Sequence, residues 1–195
     1  MQLARELYTA EILKFGEFTL QSGVRSPVYL DMRVVPSEPA LFRRIAEEAL
    51  EMLRQPEFDC DCIAGVATGG IPWAAAFGLL LGAPMVYVRS DKKEHGTTKY
   101  VEGKIRKGTK ALVVDDVATT GTSLLSAAER LRESGFIVEK AFVLVDREQG
   151  AARIAAEGGV SLRRLTTLRE ILHELEAEVP EVADRAREAT AWLVN

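Results

Sequence analysis

The chain has 195 residues, 25 of them Lys or Arg against 29 Asp or Glu, and 47% are hydrophobic. This length suits one domain of ordinary size with a core of its own, and the acid excess excludes a basic nucleic-acid footprint over the whole chain. No apolar run approaches the ~20 residues that span a bilayer, and residues 1–6 lack the apolar centre of a signal peptide. The expectation is a soluble cytoplasmic protein with no nucleic-acid and no membrane partner.

In chain order, residues 2–14 place Leu3, Leu7, Ala10 and Leu13 on one helical face. Phe15 to Gly23 alternates as a strand and ends in a turn, and Arg25 to Asp31 gives a second short strand, so the start predicts a β-hairpin. Residues 38–54 form an amphipathic helix with Pro39 in its first turn. Cys60 and Cys62 stand one residue apart; a bridge closing so small a ring would be strained, and only His95 and His173 remain to complete a metal set. They are expected as reduced thiols.

From Cys62 the pattern changes to apolar strands alternating with helices. Strands are expected at 62–67, 84–88, 111–115 and 140–145, with helices at 71–81 and 123–134. Ser90 to Gly103 is a charged stretch without periodicity. The tail offers a strand near 161–165 and helices at 167–177 and 180–193. Continuous apolar strands separated by helices imply an α/β fold, a mostly parallel sheet covered on both faces. No linker interrupts the chain, so residues 1–195 are expected as a single domain with an N-terminal elaboration.

In such sheets ligands bind beyond the carboxyl ends of the strands, and three strand ends carry unusual residues. One is Val113-Val114-Asp115-Asp116-Val117-Ala118-Thr119-Thr120-Gly121-Thr122-Ser123. Hydroxyl residues and a glycine opening a helix make an anion site suited to phosphate. Two adjacent carboxylates would repel phosphate; they suit a sugar diol or Mg2+. One ligand carrying both a diol and a phosphate satisfies both halves. The second strand end is Thr68-Gly69-Gly70, where two glycines let backbone approach a ligand. The third is Arg89-Ser90-Asp91-Lys92-Lys93-Glu94-His95-Gly96, where Arg89, Lys93 and His95 offer donors to an anionic leaving group. Taken alone, the glycine pair reads as an ordinary turn and the charge run as a solvated face.

The 113–123 segment resembles the phosphoribosyl-diphosphate (PRPP) motif of type I phosphoribosyltransferases. It is neither a Walker loop nor a dinucleotide fingerprint. The charged stretch resembles the mobile catalytic loop of orotate phosphoribosyltransferases, with its Arg-x-x-x-Lys-x-His-Gly pattern. The run from Lys14 to Gly23, with Ser26-Pro27-Val28-Tyr29, resembles the hood of that family. The resemblance covers about Leu13 to Gly150.

It implies a type I phosphoribosyltransferase fold with an N-terminal hood (residues 1–36) and a flexible loop (90–103) that serves the partner's site in a homodimer. It implies PRPP and orotate as substrates and Mg2+ as cofactor, held mainly through PRPP with Asp115 and Asp116 as further ligands. PRPP would be held by Arg89, Lys93, His95 and residues 115–123, with its diphosphate over Thr68, Gly69 and Gly70. Lys93, His95, Asp115 and Asp116 carry the catalytic roles, and Thr119 and Arg147 contact orotate. An arginine at a strand end suits a bidentate grip on a carboxylate, although Asp146 and Glu148 flank Arg147 and offer it a local ion pair. Phe18 or Tyr29 would wall a flat ring. Some relatives have lysine where this chain has Gln21, Gly69 and Ser90, which weakens a charge-based role at those positions. Two rivals stay open at the level of sequence: a phosphoribosyltransferase for a purine or uracil, and a non-catalytic PRPP-sensing regulator.

Overall fold

The computed structural model describes residues 3–19, 23–90, 100–104 and 106–193. It divides into two compact units, one formed by Met1–Ile45 and Thr166–Asn195, the other by Ala46–Leu165.

In the first unit α1 spans Leu3–Thr9, β1 Leu13–Thr19 and β2 Arg25–Leu30. The expected helix over 2–14 is therefore too long. Glu11 turns to a positive φ of 56°, and Leu13 and Lys14 pair with Leu30 and Tyr29 in the antiparallel hairpin. Leu13 fits the helical spacing by coincidence; the hairpin claims its backbone. A 3-10 turn over Met32–Ser37 leads to α2, Pro39–Leu53. At the other end of the chain α6, Leu168–Glu178, opens with a reciprocal capping box between Thr167 and Glu170. It packs against α1, and α7, Ala183–Trp192, packs against β2.

The second unit holds most of a six-stranded sheet: β3 (Cys62–Val66), β4 (Met85–Val88), β5 (Val101–Glu102), β6 (Lys110–Ala118), β7 (Ile137–Asp146) and β8 (Ser161–Thr167). Its order is β5-β4-β3-β6-β7-β8. β3 pairs in parallel with β4 and β6, and β6 with β7, while β4 pairs with β5 antiparallel. The mostly parallel sheet matches the expectation, and β5 is a correction to the structureless reading of 90–103. A two-residue strand leaves no periodicity to read.

Helices α3 (Gly70–Leu81), α4 (Thr122–Glu133) and α5 (Ala151–Glu157) join these strands. Alternation along the strands divides the core. Ala64, Val66, Val113 and Val143 pack with Leu124, Ala127 and Leu131 of α4. Phe142 points the other way and meets Phe77 of α3 and Phe58 edge-on, at centroid distances of 6.1 and 5.9 Å. Helix α5 is absent from the sequence reading.

The chain leaves β3 toward β4 on one side and β6 toward β7 on the other. The carboxyl ends of β3 and β6 thus flank a switch point, where open α/β sheets bind ligands.

Candidate active site

The sequence ends the central strand at Asp115, but β6 continues to Ala118 because Val117 and Ala118 pair with Val145 and Asp146. Both aspartates therefore sit on rigid strand backbone. The Asp115 carboxylate is buried and accepts the Asp116 N–H at 2.9 Å. Asp116 accepts the Val117 N–H at 2.8 Å. Burial, and then the Asp116 charge beside it, hold the Asp115 carboxyl well above the usual carboxylate range. Hydroxyl donors or a cation would relieve that repulsion.

The turn that follows is set by Gly121 at φ +86°, where a Cβ would meet the Ala151 backbone at 2.9 Å. Helix α4 then opens without a side-chain cap, which leaves its first N–H groups to a ligand. Thr120 and Thr122 hydroxyls lie 3.0 Å apart. Residues Asp115 and Val117 to Leu124, which include Thr119 and Ser123, line a cavity of about 80 Å3. This is room for a phosphate group.

The β3 loop approaches from the other side of the switch point. A Cβ on Gly69 would overlap the Asp116 carboxylate, and one on Gly70 would overlap the Val114 carbonyl. The approach of this loop to β6 leaves no room for a Cβ at Gly70 and admits one at Gly69 only if the Asp116 side chain moves, a reason the sequence does not disclose. Thr68 is exposed beside them, and the Ala67–Thr68 peptide is cis.

Arg89 follows β4. Its N–H donates to the Tyr100 carbonyl at 2.9 Å, and its guanidinium lies 3.4 Å from Glu102. Lys93 and His95 fall in 91–99, outside the described residues, as do Gln21 and Ser22. Arg130 of α4, which the sequence reading passed over, donates to the carbonyls of Arg89 and Ser90 at 2.5 and 3.0 Å. Only its position two helical turns after Ser123 hints at this.

Arg147 is buried, with 8% of its surface exposed. Its backbone N–H donates to the Ala118 carbonyl at 2.9 Å, which sets it beside Thr119. The neighbouring Asp146 carboxylate instead lies 3.5 Å from Arg164 and accepts the Glu148 N–H at 2.8 Å. Among the described residues, Nε and Nη2 of Arg147 have no hydrogen-bond partner. Desolvation lowers the Arg147 pKa. A buried cation with unused donors is a receptor for an anion.

In the first unit the Phe18 and Tyr29 rings stack on one another, 5.3 Å between centroids. The Tyr29 hydroxyl accepts from Arg33 at 3.2 Å. Among the described residues no three His, Cys, Asp or Glu side chains converge as a metal cage. Cys60 and Cys62 are free thiols. No helix among the described residues is long and apolar enough to cross a membrane.

Comparison with known proteins bears on the same residues. The family model described as the phosphoribosyl transferase domain matches residues 35–158. The chain is 43% identical over 192 residues to an orotate phosphoribosyltransferase of Pyrobaculum aerophilum, spanning 98% of this chain and 97% of that protein. The crystal structure of orotate phosphoribosyltransferase from Aeropyrum pernix superposes with a TM-score of 0.82 at 44% identity, covering 89% of this chain and 97% of that one. The Mycobacterium tuberculosis orotate phosphoribosyltransferase in complex with PRPP is similar at a TM-score of 0.69 and 27% identity, over 87% of this chain and 96% of that one. The PRPP motif, the type I fold and these matches along nearly the whole length agree: this chain belongs to the orotate phosphoribosyltransferase family.

Proposed function

We propose that the protein transfers the phosphoribosyl group of PRPP to N1 of orotate, giving orotidine 5′-phosphate and diphosphate on the route to UMP. Arg147 is the observation that carries the acceptor. Its dry guanidinium and two unpartnered nitrogens suit the orotate carboxylate, which purine bases and uracil lack. The donor fits the switch point: 5′-phosphate at Thr119 to Ser123, ribose hydroxyls at Asp115 and Asp116, diphosphate over Thr68, Gly69 and Gly70.

The bond from ribose C1 to the diphosphate oxygen breaks and its electron pair leaves with the diphosphate. Orotate N1 supplies the pair for the new bond and its proton passes to solvent, so no strong protein base is needed. The protein's part is orientation and charge stabilisation. Arg89 supplies charge toward the diphosphate and, on the family resemblance, so do Lys93 and His95. With no all-protein cage among the described residues, Mg2+ fits here as an ion that would arrive on PRPP and meet Asp115 and Asp116; it would neutralise the diphosphate.

We extend the proposal to a cytoplasmic homodimer in which residues 90–103 serve the partner's site. Free thiols support a reducing compartment. Leu79 and Leu80 of α3, 83% and 47% exposed, support a covered apolar face.

The test is diphosphate release from PRPP with orotate, adenine, hypoxanthine, xanthine and uracil, with and without Mg2+. Orotate alone should turn over, and only with the metal. Preference for another base would sink the acceptor assignment and leave the donor site standing.

A further inference from the structure

We infer that Arg130 is a positioning residue that ties both ends of the 91–99 stretch to the helix that begins at the phosphate loop. One guanidinium makes three contacts at once. Its Nη1 donates to the Arg89 carbonyl at 2.5 Å and to the Ser90 carbonyl at 3.0 Å. Its central carbon lies 4.0 Å from the centroid of the Tyr100 ring, at cation–π distance. Tyr100 in turn accepts the Arg89 N–H at 2.9 Å. The residues that enter and leave 91–99 are therefore held to one another and to the same side chain of α4.

The helix makes this more than a local staple. Arg130 lies two turns beyond Ser123, whose end of α4 opens at the 5′-phosphate cavity. Basic side chains near a helix C-terminus commonly satisfy their own last carbonyls. Arg130 turns away to the carbonyls of another segment. With Thr122, Ser123, Ser126 and Arg89 it also lines a cavity of about 260 Å3 at the ends of β3 and β4. Phosphate bound at one end of α4 and the roots of the charged stretch further along it thus share one rigid reference. Arg89, one residue past the Val88–Val101 pair of β4 and β5 and fixed through its own carbonyl, is aimed by the same contact.

The inference rests on the reading above that Lys93 and His95 act on the diphosphate. A positioning role acts through geometry, and a displacement of about 1 Å in a reacting group costs on the order of 100-fold in rate. Arg130→Met keeps length and removes charge and fork. It should lower kcat by roughly 10- to 100-fold while KM for orotate stays within about twofold. Arg130→Lys retains a cation over Tyr100 and one donor, and should recover much of the loss. Tyr100→Leu removes the ring alone and should give a smaller kcat loss of the same kind; it decides the matter if Arg130→Met does not fold. Wild-type kcat in Arg130→Met, or a kcat loss that Arg130→Lys does not reduce, overturns the inference. Lys93→Ala, assayed alongside, separates the two levels. Intact turnover there removes the reading of 91–99 and the inference with it. Lost turnover there with intact Arg130→Met removes the inference alone.

Discussion

The loops that end β3 and β6 meet across the switch point, yet they are built from opposite materials. The β6 loop works through side chains: two carboxylates on strand backbone, then hydroxyls at a helix start. The β3 loop works by having none, because any Cβ on Gly69 or Gly70 would collide with Asp116 or with the Val114 carbonyl. One loop is sensitive to the loss of chemical groups, the other to the gain of volume.

The largest expected effect falls on the chemical loop. Asp116→Asn should lower kcat/KM by roughly 100- to 1,000-fold, as loss of a preorganised electrostatic contact does, read by steady-state kinetics with PRPP varied. A change below tenfold would remove Asp116 from the diol-binding pair. Next comes the steric loop. Gly69→Ala should cost less than Asp116→Asn, because the displaced group is the same carboxylate and its side chain can turn aside. The comparison breaks if this loss is independent of Asp116. In an Asp116→Gly background the added alanine should cost little, and a double-mutant cycle showing additivity would refute the collision.

Arg147→Ala should raise KM for orotate by about 10- to 100-fold, the 1.5–3 kcal/mol typical of hydrogen bonds to a charged group, with KM for PRPP unchanged. An unchanged orotate KM would take Arg147 out of the site. A smaller effect concerns the unliganded protein. The raised Asp115 pKa means the folded state prefers the neutral acid, so the stability from this group is full below the ordinary carboxylate range. It is lost as pH rises through the raised value. Asp115→Asn should therefore raise the ligand-free Tm at pH 7, by about 2–4 °C for each kcal/mol relieved. The gap to wild type should close as pH falls, and a gap constant with pH would argue against the buried dyad. The smallest effect is a control outside both loops. Burial pushes the Cys62 thiol up to about 11, so iodoacetamide at pH 7.5 should leave it unmodified in the native protein; rapid labelling would show that β3 opens at its start.

Much of this architecture is legible in the sequence because the chemistry is dense there. Eleven consecutive residues from Val113 to Ser123 carry the proposed donor site, and the apolar runs of β3, β4 and β6 stand out from their flanks. The boundary of β6 is not legible, since two aspartates look like the end of a strand while hydrogen bonding to β7 carries them into it. Helix α5 escapes because Ala151–Glu157 is short and opens on a left-handed Gly150. The glycines at 69 and 70 are visible as glycines, but the collisions behind them are with β6, far along the chain. The value of Arg147 lies in a missing partner, and that of Arg130 in contacts to two carbonyls and a ring far along the chain; neither leaves a local pattern.

The pairing of β3 with β6 has a consequence for how activity arises. Cys62 sits opposite Ala111 in the sheet, and the chain between them, which carries α3, β4 and β5, is closed into a loop when that contact forms. Such closure carries an entropic cost and comes late on a folding route dominated by local structure. The floor of the site does not exist until it happens, because Gly69 and Asp116 belong to the two separate halves. The proposed phosphosugar site is therefore assembled only when the two central strands have joined.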